Sequence, residues 1–223
     1  MKLKSFTLAE MLVVMIIVAT LAMLTIPTVV KTNRDRAYAN KLDAVYEKIE
    51  TALILDKIFG LDVGKFGISA INKDMRITDF FAMLNEKLKT IKNCGSNQEG
   101  CFGATTMQGY KLRLISGAGI LVNDDFYGEY DSVDPNNPIV GSTYIDVDGP
   151  IGPNQAGIDQ FGFYITPKGL IPMGGPQDVL MKFSDCLNNG SGFACSAWVL
   201  VNKNMDYRNC PNVLNWENRT RCE

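Results

Sequence analysis

The side chains able to do chemistry in this 223-residue chain are few, and no histidine is among them. Its absence removes the commonest general base, the commonest transition-metal ligand, and every Ser/His or Cys/His nucleophile arrangement. Carboxylates and cysteines remain. The best candidate set of oxygen ligands is Asp146, Asp148, Asn154 and Asp159, in and beside a loop rich in glycine and proline from Gly149 to Gly157. Oxygen ligands gathered by a tight glycine turn suit calcium. The EF-hand order is not met, however, because Gly149 follows directly on the second aspartate and no glutamate closes the loop. Capping of local backbone donors by Asp and Asn side chains is the competing account of the same residues. The glycines do not form a phosphate cradle: no Gly-Lys-Ser/Thr ends the run, and two prolines remove donors. Asp124 and Asp125 are neighbours that point apart on an extended chain, so a surface role suits them better than paired acid and base work. No nucleophile motif stands elsewhere, and the composition argues against an enzyme.

The six cysteines fall into three close pairs, Cys94 with Cys101, Cys186 with Cys195, and Cys210 with Cys222. None forms Cys-x-x-Cys, so oxidised loops in an exported domain fit better than zinc, with buried free thiols as the alternative. Pairing of neighbours is the simplest of the many connectivities that six cysteines allow. The 22 basic and 24 acidic residues nearly balance, and no broad attraction to nucleic acid follows.

Glu10 is the remaining carboxylate of interest, the one charge in an apolar run from Phe6 to Val30 that follows Lys2 and Lys4. Met11 to Val30 is twenty residues, about 30 Å of helix, which matches a bilayer core. The basic residues ahead of it place the short end in the cytoplasm and export the rest. A secretory signal would have a shorter apolar core, a small-residue cleavage site and no carboxylate at its border. An ionisable group there is costly unless paired; the alternative is that Glu10 only reaches the interface.

Ser5-Phe6-Thr7-Leu8-Ala9-Glu10-Met11-Leu12, with its basic leader and apolar sequel, resembles the processing motif of type IV pilins and type II secretion pseudopilins. The resemblance covers about thirty residues. It implies cleavage between Ser5 and Phe6 by a prepilin peptidase, methylation of the new Phe6 amine, and Glu10 as the fifth mature residue. Ser5 stands where the family has glycine, which predicts slower processing. Pro27 matches a second family feature, a proline that softens the helix; ending the membrane span is its plainer reading. A Phe6 ammonium near an apolar core could be neutralised by Glu10 of a neighbouring subunit, which would fix subunit stagger. The implied partners are the peptidase, other pilin or pseudopilin subunits, an inner-membrane assembly platform, and lipid before assembly. The implied location is the bacterial inner membrane, then a pilus or pseudopilus. A structural subunit is the leading expectation, and its large cysteine-rich head favours a minor over a major one. A tip subunit whose head binds a surface, a secreted substrate or DNA is the alternative, and a single-span enzyme or receptor a distant third. No cofactor is required by this reading, and calcium is the one ion the acidic loop suggests; many major pseudopilins hold calcium in an Asp-rich C-terminal loop.

The elements that must position these residues follow from periodicity. Tyr38, Leu42, Val45, Ile49 and Ala52 recur in steps of four and three, and no glycine precedes Gly60. One helix is therefore expected from Phe6 to about Ile58, its second half packed on a sheet. The chain divides into a leader (1–5), an assembly helix (6–30), its amphipathic continuation (31–58) and an α+β head (59–223). In the head, Thr78 and Asp79 open a short helix to about Thr90 with Phe80, Phe81, Leu84 and Leu88 inward. A loop from Cys94 to Cys101 follows. Tyr110–Ser116 with Ala118–Asn123, and Phe161–Thr166 with Lys168–Ile171, read as hairpins; Ser142–Val147 and Cys195–Asn202 read as single strands, and 124–141 as a surface loop. The expected fold is a long helix on an antiparallel sheet, pilin-like, with disulfide-stapled loops.

Overall fold

The computed structural model describes residues 7–58, 77–96, 98–123, 139, 141–166, 169–187 and 190–222. The expectations for Ser5, Phe6, Gly60, the Asp124–Pro138 loop and Lys168 fall outside them.

Helix α1, Leu8–Ile58, is a single element of 51 residues, about 77 Å long. Pro27 lies inside it and does not end it. Because proline has no N–H, the Met23 carbonyl loses its helical donor there. From Asp35 onward one face is buried, and all five residues of the predicted stripe, from Tyr38 to Ala52, are 7% exposed or less. Helix α2, Ile77–Lys87, turns Phe80, Phe81 and Leu84 into the same core and ends three residues early because Thr90 already belongs to a strand.

Six strands form one antiparallel sheet in chain order: β1 Thr90–Gly95, β2 Gly109–Leu114, β3 Gly119–Asn123, β4 Gly141–Asp146, β5 Gln160–Thr166 and β6 Gly169–Pro172. Both predicted hairpins are present, β2 with β3 and β5 with β6. Strand β1 was not expected. Its sequence Thr-Ile-Lys-Asn-Cys-Gly lacks alternation, its one large apolar residue, Ile91, is exposed, and its register against β2 is irregular. It is an edge strand, which needs little apolar signal of its own.

The sheet is covered on both faces. Leu112, Ile120, Ile145, Phe161 and Phe163 face α1 and α2, whereas Leu121, Tyr144, Tyr164 and Met173 form a second cluster with Phe102 and Ile139 on the other side. The opposite orientation of Tyr144 and Ile145 is the alternation expected for that strand.

Cys195–Asn202 is not a strand. Gly192–Cys195 is a 3-10 turn leading into helix α4, Ser196–Asn202, after the short helix α3, Phe183–Leu187. A run of Trp, Val, Leu and Val suits either state, and length alone does not separate a short buried helix from a strand. Tertiary contacts decide it. The Ala197 N–H donates to the Met173 carbonyl at 2.9 Å, and the Ser196 hydroxyl accepts from the Gly162 N–H at 2.8 Å, so the helix start is pinned across β5 and the end of β6. Lys203 then closes the helix in a left-handed conformation at φ 53°, its N–H donating to the Val199 carbonyl.

The three disulfides are Cys94–Cys101, Cys186–Cys195 and Cys210–Cys222, each joining the sequence-adjacent pair. The last two staple the C-terminal segment that covers the end of the core.

Candidate functional site

Two features stand apart from the ordinary architecture. The first is the N-terminal half of α1. From Leu8 to Val30 its large apolar residues are all at least half exposed or close to it, with Leu8 at 80% and Met23 and Leu24 at 75%. The helix is long and apolar enough to cross a membrane, and its most apolar window has no side chain buried against the head. Two of its hydroxyls bond back to the helix: Thr20 donates to the Ile17 carbonyl at 2.9 Å and Thr25 to the Leu21 carbonyl at 2.9 Å. Side-chain hydroxyls returned to the helix backbone are what a hydrocarbon environment favours.

Glu10 also has a local role at the start of the helix. Its Oε2 accepts from both the Thr7 N–H and the Thr7 hydroxyl at 2.8 Å, while the Glu10 N–H donates back to Thr7 Oγ1 at 3.3 Å. This is a capping box, readable from the Thr-x-x-Glu spacing. Glu10 therefore starts α1. Its proposed amine partner, Phe6, lies outside the described residues.

The C-terminal half of α1 is bound to the head by polar contacts. Asp35, buried, pairs with the Arg208 guanidinium; Lys31 donates to Asn209 Oδ1 at 2.6 Å; and Lys203 pairs with Asp43. Burial pushes the Asp35 carboxyl up, and the Arg208, Lys31 and Arg34 charges oppose that shift. Glu50 accepts from the Leu170 N–H at 2.7 Å, so the far end of the helix holds β6.

The second feature is the acidic pocket. Asp146 ends β4, Asp148 precedes a 3-10 turn at Gly149–Ile151, Asn154 sits at φ 56°, and Asp159 precedes β5. The loop returns the chain on itself, so that one carboxylate oxygen each from Asp146, Asp148 and Asp159 lie within 4.8 Å of one another. All four residues singled out in the sequence therefore belong to one place. Asp146 and Asp159 are fully buried and Asp148 is 9% exposed.

Hydrogen bonds account for part of this set. Asp159 accepts from the Asn154 N–H at 2.6 Å and the Gln155 N–H at 2.7 Å, the turn-capping role expected of such residues. Asp146 Oδ2 accepts from Gln160 Nε2 at 3.0 Å and from the Gly103 N–H at 3.2 Å. Asp148 Oδ2 accepts from the Tyr38 hydroxyl at 2.7 Å, a contact that reaches from α1. Two buried oxygens, Asp148 Oδ1 and Asn154 Oδ1, have no donor. Burial, with the Asp159 and Asp148 charges adding to it against the Gln160 bond, pushes the Asp146 carboxyl up to about 7. Burial pushes Asp159 up as well. Tyr38 and Gly103 were not legible as members of the pocket, since they come from 110 and 43 residues away along the chain.

Comparison of the chain with protein-family models, with curated proteins and with solved structures returned no match. The functional reading rests on these two features and on the motif at the N-terminus.

Proposed function

We propose that the protein is a filament subunit of the type IV pilin or pseudopilin kind, held in the inner membrane by α1 with its head exported. On this reading a prepilin peptidase cuts between Ser5 and Phe6, and an assembly platform moves the helix from lipid into a fibre core where copies or related subunits pack along it. The observation that supports it most is the asymmetry of α1, one continuous helix with its apolar N-terminal half bare and its C-terminal half built into a disulfide-stapled head. Apolar packing along the bare half supplies cohesion, and Pro27 supplies a point where a packed helix can bend. A head stapled by oxidised loops fits an exported domain.

In assembly, Glu10 neutralises the Phe6 ammonium of a neighbour while continuing to cap its own helix. Glu10→Gln separates the two roles, because glutamine also completes a capping box but carries no charge. The variant should insert into membranes as the parent does and yield at least about tenfold fewer fibres, since an ammonium left unpaired in an apolar core is strongly unfavourable. Fibre counts by electron microscopy, against membrane-bound protein by immunoblot, give the readout. Undiminished fibres would remove the pairing role from Glu10.

A further inference from the structure

We propose that the end of the head nearest the apolar half of α1, where Lys31, Arg34 and Arg36 stand, is a docking surface for the headgroups of anionic phospholipids. The proposal rests on the reading of α1 as a membrane helix, but not on assembly into a filament or on which side of the bilayer the head occupies.

Contacts between α1 and the head fix the height of this surface. Lys31 directly follows the apolar run, and its ammonium donates to Asn209 Oδ1 at 2.6 Å, while Asp35 pairs with Arg208. The turn Asp206–Arg208 is therefore level with the first turns of helix beyond Val30. At about 1.5 Å per residue, Arg34 and Arg36 stand about 6 and 9 Å above Val30. A bilayer carries roughly 5–8 Å of headgroup layer on each side of its hydrocarbon core. Side chains on a helix lean toward its N-terminus, here toward the bilayer, so both guanidinium groups reach back into that layer.

Charge at this level is unbalanced. Asp35 and Arg208 neutralise each other, and Asp206, the other carboxylate of that turn, accepts from the Cys222 N–H at 3.1 Å. The Lys31 ammonium has uncharged acceptors, Asn209 Oδ1 and the Arg208 carbonyl. Arg34 and Arg36 are exposed and, among the described residues, have no ion pair and no side-chain hydrogen bond. Three cations thus stand within two helical turns, in a chain whose net charge is -2.

Position selects the partner. At this height the neighbours of an inserted helix are lipid headgroups, and their phosphate oxygens accept from both arms of a guanidinium. Arg34 and Arg36 lie about 100° to either side of Asp35 around the helix, so they flank the face built into the head and each meets a different lipid. Attraction of basic residues to a bilayer surface favours anionic lipid, by about fivefold for each cation close to it.

The test reconstitutes full-length protein in bilayers of phosphatidylcholine and phosphatidylglycerol in equal amounts. The membranes are washed with carbonate and extracted in mild nonionic detergent, and the lipid retained on the protein is counted by mass spectrometry. Phosphatidylglycerol should exceed phosphatidylcholine by about fivefold or more. Arg34→Gln combined with Arg36→Gln should bring the ratio close to one, with carbonate resistance and the melting temperature of the head as in the parent, since both side chains are exposed. Release of the parent by carbonate would remove the membrane helix itself. A parent that stays inserted but retains the two lipids equally would overturn the headgroup surface alone, and enrichment that survives the double substitution would overturn its placement at Arg34 and Arg36.

Discussion

Trp198→Ala should lower the stability of the head by about 3–5 kcal/mol, the range for deleting a large buried aromatic side chain. Trp198 is fully buried, stacked on Phe183 at 4.3 Å between ring centroids and tilted against Trp216 at 5.0 Å. Removing its indole leaves Phe183 and Trp216 without their common partner, and these rings connect α3, α4 and the C-terminal loop. The Nε1 bond to Asn204 is the smaller part, because Asn204 Oδ1 also accepts from the Asp206 N–H. Trp198→Phe should therefore cost less than half as much. Thermal unfolding should show a drop on the order of 10 °C for the alanine variant, at the 2–4 °C per kcal/mol usual for about 200 residues. A drop of only a degree or two would mean that this cluster is peripheral to the cooperative unit.

Arg208→Ala should cost a comparable amount, about 3–5 kcal/mol at neutral pH, by leaving Asp35 buried on α1 without its counter-charge. The loss has a pH signature. Asp35 is held above its ordinary value of 3.8 in the folded protein, so the folded state takes up a proton before the unfolded chain does. Stability therefore rises as pH falls from above the folded value toward 3.8, and the variant, with the folded value raised further, should recover most of its deficit across that window. Asp35→Asn combined with Arg208→Ala should abolish the pH dependence of the deficit. Denaturant midpoints at neutral and acid pH supply the comparison, and a deficit unchanged by pH would place the role of Arg208 in packing and not in charge.

Helix α1 was legible because its signal is long and uninterrupted: no glycine precedes Gly60 and five stripe residues repeat at helical spacing. The disulfides were legible because sequence neighbours pair. Both hairpins followed from local turn chemistry. The failures are where the deciding contact is distant. Ser196 to Asn202 is helical because Met173 and Gly162 hold its start, and neither adjoins it in sequence. Strand β1 exists because β2 offers an edge. At the pocket, the spacing of Asp146, Asp148, Asn154 and Asp159 around a glycine loop was enough to collect the oxygens, but not to show that Tyr38 and Gly103 close it. The Thr7–Glu10 cap is legible in the Thr-x-x-Glu spacing, and the same glutamate carries the one charge of the apolar run.

Intact mass and N-terminal sequencing of protein extracted from membranes, in a host with an active prepilin peptidase, test the filament reading most directly. A chain that begins at Phe6 with a methylated amine, having lost Met1 to Ser5, is the expected result. A chain that still begins at Met1 would contradict it.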